Sequence, residues 1–116
     1  MAFIKIDNVK VTGVAAAVPK DIKEIKDLPF FSEGEADKVI ALTKVERSRI
    51  APEGMCCSDL CYAAAEELLN SLCWKREDVE ALIFVSLSRD YIAPATANIL
   101  QEKLKLPKTC LAFDIP

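Results

Sequence analysis

Ala81-Leu82-Ile83-Phe84-Val85-Ser86 is the stretch on which the fold turns. Its unbroken apolar run is too short for an ordinary helix and is rich in β-branched and aromatic side chains, so it reads as a strand. A strand without polar alternation is expected to be covered on both faces, as in a parallel sheet. Downstream, Arg89 to Ala93 reads as a loop, and Pro94 suits the first turn of a helix. Ala97, Leu100 and Leu104 give that helix an inner face, Pro107 stops it, and Cys110 to Ile115 forms a second short apolar strand. Strand, helix, strand in this order is the unit of a parallel sheet.

Upstream lies the clearest helix. Ser58 is placed to cap it, and Asp59 suits its positive end. Leu60, Ala64, Leu68 and Leu72 recur at near-helical spacing with Cys61 and Ala65 beside them, whereas Glu66, Glu67 and Asn70 read as a solvated face. The helix is expected to end near Cys73, and Lys75 to Glu80 is a polar connection. Further back, Ala51 to Gly54 is a loop and Lys44 to Ile50 a weak strand. Glu33 to Leu42 forms a short helix with Val39 and Ile40 inward, Ser32 and Glu35 having capping-box spacing. Lys20 to Phe31 is mixed and reads as irregular. The opening, with Ile4, Ile6, Val9, Val11 and Val14, alternates in part and reads as a strand or as a hairpin turning near Asp7-Asn8. The expectation is one α/β domain over residues 1–116, a mostly parallel sheet with flanking helices, and ligands at the carboxyl ends of its strands, near Ser86 to Tyr91 and Asp114 to Pro116.

Composition narrows the chemistry. Of 116 residues, 52% are hydrophobic and 28% charged, with a net charge of -3, which is a globular mix carrying no basic footprint for nucleic acid. No apolar run approaches the roughly 20 residues that span a membrane, and the opening is too short and too charged for a signal peptide. A cytoplasmic chain with reduced thiols is expected. The sequence contains no histidine, which removes Ser-His and Cys-His nucleophilic pairs within it. Gly13, Gly34 and Gly54 are too far apart for a phosphate-cradling loop.

Few residues carry a chemical signal of their own. Cys56, Cys57, Cys61, Cys73 and Cys110 contain no CxxC pair; the first three, near a helix start, suit either metal or redox chemistry or simple packing, and packing fits better. Lys44, Arg47 and Arg49 read as a solvated edge rather than a phosphate site. Arg89 and Asp90 are at a strand end, where a turn and a site edge look alike. Asp114 reads as a structural carboxylate bonded to backbone amides, and Trp74 and Tyr62 as packing residues.

Several segments, in order, resemble the ketoacyl-acyl carrier protein synthase III group of the thiolase superfamily. They are Val11-Thr-Gly-Val14 with Val18-Pro19-Lys20, Thr43-Lys44-Val45 through Arg49-Ile50-Ala51, Ser58-Asp59-Leu60 with Ala63 to Ala65, Asp78 to Ile83 with Ser86 and Asp90, Pro94 with Ala97, Gln101 and Leu104, and Ala112-Phe113-Asp114-Ile115. The resemblance implies a thiolase-like α/β fold and an N-terminal half of a condensing enzyme. In that family the Phe-Asp-Ile strand leads to the nucleophilic cysteine, which would fall three residues beyond Pro116. It is not Cys110, and no catalytic residue is expected within these 116. The implied partners of the whole enzyme are acyl-coenzyme A, malonyl-acyl carrier protein and a second subunit in a homodimer; no metal or resident cofactor is implied.

The family's coenzyme A adenine is often held between a Trp and an Arg. The matching positions are Lys38 and Leu42, which cannot rebuild that sandwich, and the glycine of the family's Thr-Gly-Ile is Lys44. Ala93 stands where some members place a bulky residue reaching a partner's acyl pocket, so a longer or bulkier acyl group is expected. Two alternatives stay open: a non-catalytic α/β interaction module, and a synthase of the hydroxymethylglutaryl or chalcone type.

Overall fold

Strands Ala81–Val85 and Leu111–Ile115 lie side by side and parallel, in register from Ala81↔Leu111 to Val85↔Ile115. The computed structural model describes residues 3–88 and 90–116. In chain order its elements are β1 (Asp21–Glu24), α1 (Glu35–Thr43), β2 (Arg47–Ile50), α2 (Cys57–Ser71), β3 (Ala81–Val85), α3 (Thr96–Lys103) and β4 (Leu111–Ile115), with single 3-10 turns at Ile25–Asp27 and Arg76–Asp78. The parallel pair β3–β4, joined through α3, matches the α/β expectation. Beside it stands an antiparallel pair, β1–β2, with Asp21 opposite Ile50 and Glu24 opposite Arg47.

β3 and β4 are not covered on both faces. Leu82, Phe84 and Ala112 turn toward the helices and pack with Ala97, Leu100, Cys57, Cys61 and Tyr62. Ala81, Ile83, Val85, Leu111, Phe113 and Ile115 share the opposite face, all exposed and all apolar. The radius of gyration is 18.2 Å, against about 13 Å for a compact chain of this length. A second small core, Ile25, Leu28 and Ala36 with Phe31, Val39, Ile40 and Ile50, lies between α1 and the β1–β2 pair.

Four local expectations are corrected. The opening segment forms no strand: residues 3–19 have no ladder partner among the described residues, and Ile4, Val11 and Val14 are more than four-fifths exposed. Alternation specifies a strand only where a neighbour completes the hydrogen-bond ladder. The segment still has two faces, with Gly13, Ala15 and Ala17 half-buried and Val14, Ala16 and Val18 exposed. A Cβ on Gly13 would sit 2.9 Å from Leu68 Cδ1, so a side chain there would push the segment off α2. Second, Lys20 to Phe31 is not irregular, because Asp21–Glu24 pairs as β1 and the Ile25 N–H donates to the Glu46 carbonyl. Its side chains are exposed, so no apolar alternation marks it.

Third, Ser58 does not cap α2. Cys56 does, its N–H donating to Asp59 Oδ2 at 3.0 Å, while Ser58 is buried inside the first turn. Fourth, Pro94 precedes α3 rather than opening it. The Ala93–Pro94 bond is cis, Ala95 is the N-cap, and Asp114 supplies the acceptors for the first helical N–H groups.

The helix ends explain three residues at positive φ. α2 and α3 both close with the paired hydrogen bonds of a Schellman motif: Cys73 to Asn70 and Trp74 to Leu69, then Lys105 to Glu102 and Leu106 to Gln101. Cys73 (φ 53°) and Lys105 (φ 54°) take the left-handed position that glycine prefers. Lys44, at φ 59° and ψ 17°, caps α1 in the same conformation, its N–H 2.8 Å from the Ile40 carbonyl. Replacing Lys44 or Lys105 with Gly is therefore expected to stabilise the fold by about 0.5–1 kcal/mol. Urea midpoints should rise at unchanged slope; a fall would show that these turns do not require the left-handed conformation.

Asp59 also joins α2 to α3, receiving Lys103 Nζ at 3.0 Å. The Cys56 amide and then the Lys103 ammonium hold its carboxyl below the ordinary 3.8, and Asp59 holds Lys103 above 10.5. A carboxylate depressed by folding stabilises above its unfolded pKa and loses that contribution as pH falls through its folded value. A lysine raised by folding loses its contribution only as pH rises beyond 10.5. Asp59→Asn is expected to flatten the acid limb of a stability–pH curve below about pH 4, checked by thermal melts across pH.

Candidate functional site

Ligands of open α/β sheets gather at the carboxyl ends of the strands. Here the ends of β3 and β4 are tied together, the Ser86 N–H donating to the Ile115 carbonyl at 3.2 Å. The Ser86 hydroxyl donates to the Ser88 carbonyl at 2.9 Å and receives the Ser88 N–H at 3.1 Å, folding the chain back after β3. It also lies 3.9 Å from Cys57 Sγ at the start of α2. Burial and then the neighbouring Cys57 push the Cys61 thiol up, with a smaller contribution from the Asp90 charge. Arg89 lies outside the described residues.

Asp114 acts as the sequence suggested. It is half-buried on β4, and its carboxylate accepts the Thr96 N–H at 2.8 Å and the Ala97 N–H at 2.7 Å. Two unpaired amides at the positive end of α3 meet one negative group, which fixes that helix to the strand end. The far end of α3 is held as well. Gln101 Nε2 donates to the Pro107 and Cys110 carbonyls, each at 2.9 Å, and Arg76 Nε donates to the Leu104 carbonyl at 2.8 Å. Arg76 also pairs with Glu66 at 2.6 Å, both side chains largely covered, so Glu66 belongs to an α2–α3 clasp and not to a solvated face. The sequence reading missed this clasp. Ten residues separate Arg76 from Glu66 and no periodicity links them.

Lys38 and Leu42 lie one turn apart on the outer side of α1, both exposed, Leu42 at 84%. Lys38 lines a shallow cleft with Phe30, Phe31, Glu35 and Val39, so an aromatic side chain does stand near it, contributed by the preceding loop. Leu42 is not part of that cleft. Ala93 is exposed in the bend before α3. Arg49 anchors the N-terminal segment by donating to the Pro19 and Lys20 carbonyls, while Arg47 and Lys44 line an open groove along β2. Among the described residues no three His, Cys, Asp or Glu side chains converge on a metal-sized site, and no helix is long and apolar enough to cross a membrane.

A parallel strand pair backed on one face by α2 and α3, with its carboxyl ends pinned by a strand-borne aspartate, defines an α/β unit. No family model matches the chain. It is 32% identical over 105 residues, 90% of its length, to a beta-ketoacyl-acyl-carrier-protein synthase III of Caulobacter vibrioides, and 31% identical over 110 residues to a synthase of the same name from Clostridium perfringens. It spans 32% and 33% of those relatives. The crystal structure of a 3-oxoacyl-(acyl-carrier protein) synthase from Burkholderia xenovorans LB400 matches 88% of the chain and 30% of that structure, at a TM-score of 0.78 and 37% identity. In sequence and in fold the chain thus resembles the N-terminal part of a 3-oxoacyl-acyl-carrier-protein synthase III.

Proposed function

We propose that these residues are the N-terminal scaffold of a condensing enzyme of the ketoacyl synthase III type, active as a cytoplasmic homodimer. The observation that carries this reading is the joint match of sequence and fold to such synthases over about nine-tenths of the chain. The reaction joins an acyl thioester to malonyl-acyl carrier protein. A cysteine thiolate takes the acyl group and coenzyme A leaves as its thiol. Malonyl decarboxylation releases carbon dioxide, and the resulting carbanion attacks the acyl-cysteine, forming the carbon–carbon bond and freeing the thiolate. Nothing in the 116 residues performs these steps, since the sequence has no histidine and its cysteines precede the nucleophile position. Their contribution is positional: Asp114 locks α3 to β4, and the strand that leads to the nucleophile is thereby held in register with β3.

Lys38, Leu42 and Ala93 support a donor other than acetyl-coenzyme A. The first two do not form an aromatic–guanidinium sandwich, and the small side chain of Ala93 leaves room for a longer or bulkier acyl group. Incubating the complete gene product with malonyl-acyl carrier protein and a series of acyl-coenzyme A donors tests this. The expected result is 3-oxoacyl-acyl carrier protein with longer or bulkier donors favoured, and no product from residues 1–116 alone. Strict acetyl preference would overturn the role of Ala93. No condensation with any donor by the folded whole protein would overturn the functional reading.

A further inference from the structure

Helix α2 carries two thiols that condensation does not use. Cys57 and Cys61 stand at i and i+4, which places their Cβ atoms about 5–6 Å apart on one face of the helix. Both pack against the same buried group, Phe84, Ala97 and Leu100. Cys61 also forms one wall of an open apolar cleft of about 280 Å³, whose other walls include Ala65, Leu82, Phe84 and Leu100. Both thiols are free and half-buried, so a reagent reaches them; Cys110 is buried, and Cys56 and Cys73 are exposed and do not line this cleft.

We propose that Cys57 and Cys61 form a dithiol site for trivalent arsenicals that carry an apolar arm, the arm lying in the cleft beside Cys61. With phenylarsine oxide, two arsenic–sulfur bonds form, the two thiol protons pass to the oxide oxygen, and that oxygen leaves as water. Arsenic stays trivalent, so no oxidant or reductant is needed. The helix supplies the spacing in advance, and the second bond therefore forms at high effective concentration. Burial, and then the neighbouring Cys57, push the Cys61 thiol up, which disfavours its capture by ordinary alkylating agents at neutral pH. The chelate is set apart from single-thiol chemistry on that ground.

The test is intact-mass analysis of the folded chain after phenylarsine oxide treatment and a wash with excess monothiol. One arsenical per chain should remain and should be released by a small-molecule dithiol. Cys57→Ser and Cys61→Ala should each lower retention at least about tenfold, whereas Cys56→Ser, Cys73→Ser and Cys110→Ser should not. Circular dichroism of each variant separates loss of the site from loss of the fold. Retention in Cys61→Ala together with loss in Cys56→Ser would overturn the proposal in favour of the adjacent pair, and absence of any monothiol-resistant adduct would overturn it outright. A methyl arsenical retained as well as the phenyl one would overturn the role of the cleft.

Discussion

Asp114→Ala is expected to cost about 2–4 kcal/mol. Its carboxylate accepts two short hydrogen bonds from the Thr96 and Ala97 amides. Hydrogen bonds to a charged group contribute about 1.5–3 kcal/mol each, and their loss leaves two orphan N–H groups at the positive end of α3. Water that enters the half-buried gap recovers part of this, which brings the sum down to the stated range. Asp114→Asn keeps the shape and one acceptor but removes the charge and turns an amide NH2 toward one donor. Its cost should fall between those of wild type and Asp114→Ala. For a domain stable by about 5–15 kcal/mol, that loss leaves about 1–13 kcal/mol, so the alanine variant should still fold but with a clearly lower urea midpoint. Urea denaturation followed by circular dichroism checks both variants. A cost below about 0.5 kcal/mol for Asp114→Ala would mean that the α3 terminus is held by something other than this carboxylate.

The second large effect concerns association. On the outer face of β3 and β4, Ile83 and Val85 are 50% and 70% exposed, and Leu111, Phe113 and Ile115 are 66%, 43% and 44% exposed. Together with Ala81 they make one continuous apolar surface, because the parallel register aligns Ile83 with Phe113 and Val85 with Ile115. Soluble monomers seldom present such a face without a covering partner. Residues 1–116 alone are therefore expected to sediment as concentration-dependent associates of the chain with itself. Ile83→Lys combined with Phe113→Glu places opposite charges side by side on that face and removes two large apolar side chains from it. Burial of each contributes about 1.5–3 kcal/mol, so the pair should weaken association at least about a hundredfold while β3–β4 pairing survives. A wild-type chain that remains monomeric at all concentrations would contradict this account of the face.

Much of the fold was legible because its decisive elements announce themselves by composition. Ala81 to Ser86 and Cys110 to Ile115 are short apolar runs, and the helix between them has Ala97, Leu100 and Leu104 at helical spacing. All three of those helix residues are buried. Asp114 was legible as a carboxylate at a strand end, though which helix it caps was not, since that depends on how α3 crosses the sheet. β1 was hidden because Asp21-Ile22-Lys23-Glu24 is polar and exposed, and only its pairing with Arg47–Ile50 makes it a strand. The opening residues erred in the other direction: their alternation is real, but among the described residues no neighbouring strand completes it.

The candidate site divides in the same way. That Ser86 and Asp114 stand at strand ends follows from the order of elements. The Ser86–Cys57 approach and the Arg76–Glu66–α3 clasp do not, because they join residues far apart in sequence through tertiary packing. The capping of α2 by Cys56 was within reach, since Cys56 and Asp59 have capping-box spacing. Ser58, the stronger capping residue type, drew the assignment two positions inward. At Lys44, which the resemblance matches to a family glycine, the backbone is left-handed.

The central claim is that these residues lead into the nucleophile of a condensing enzyme. Reading the coding sequence beyond the Pro116 codon tests it most directly. The account predicts a cysteine three residues past Pro116, with a histidine and an asparagine much later in the same frame. A stop codon directly after Pro116, or an open frame without that cysteine, would contradict it.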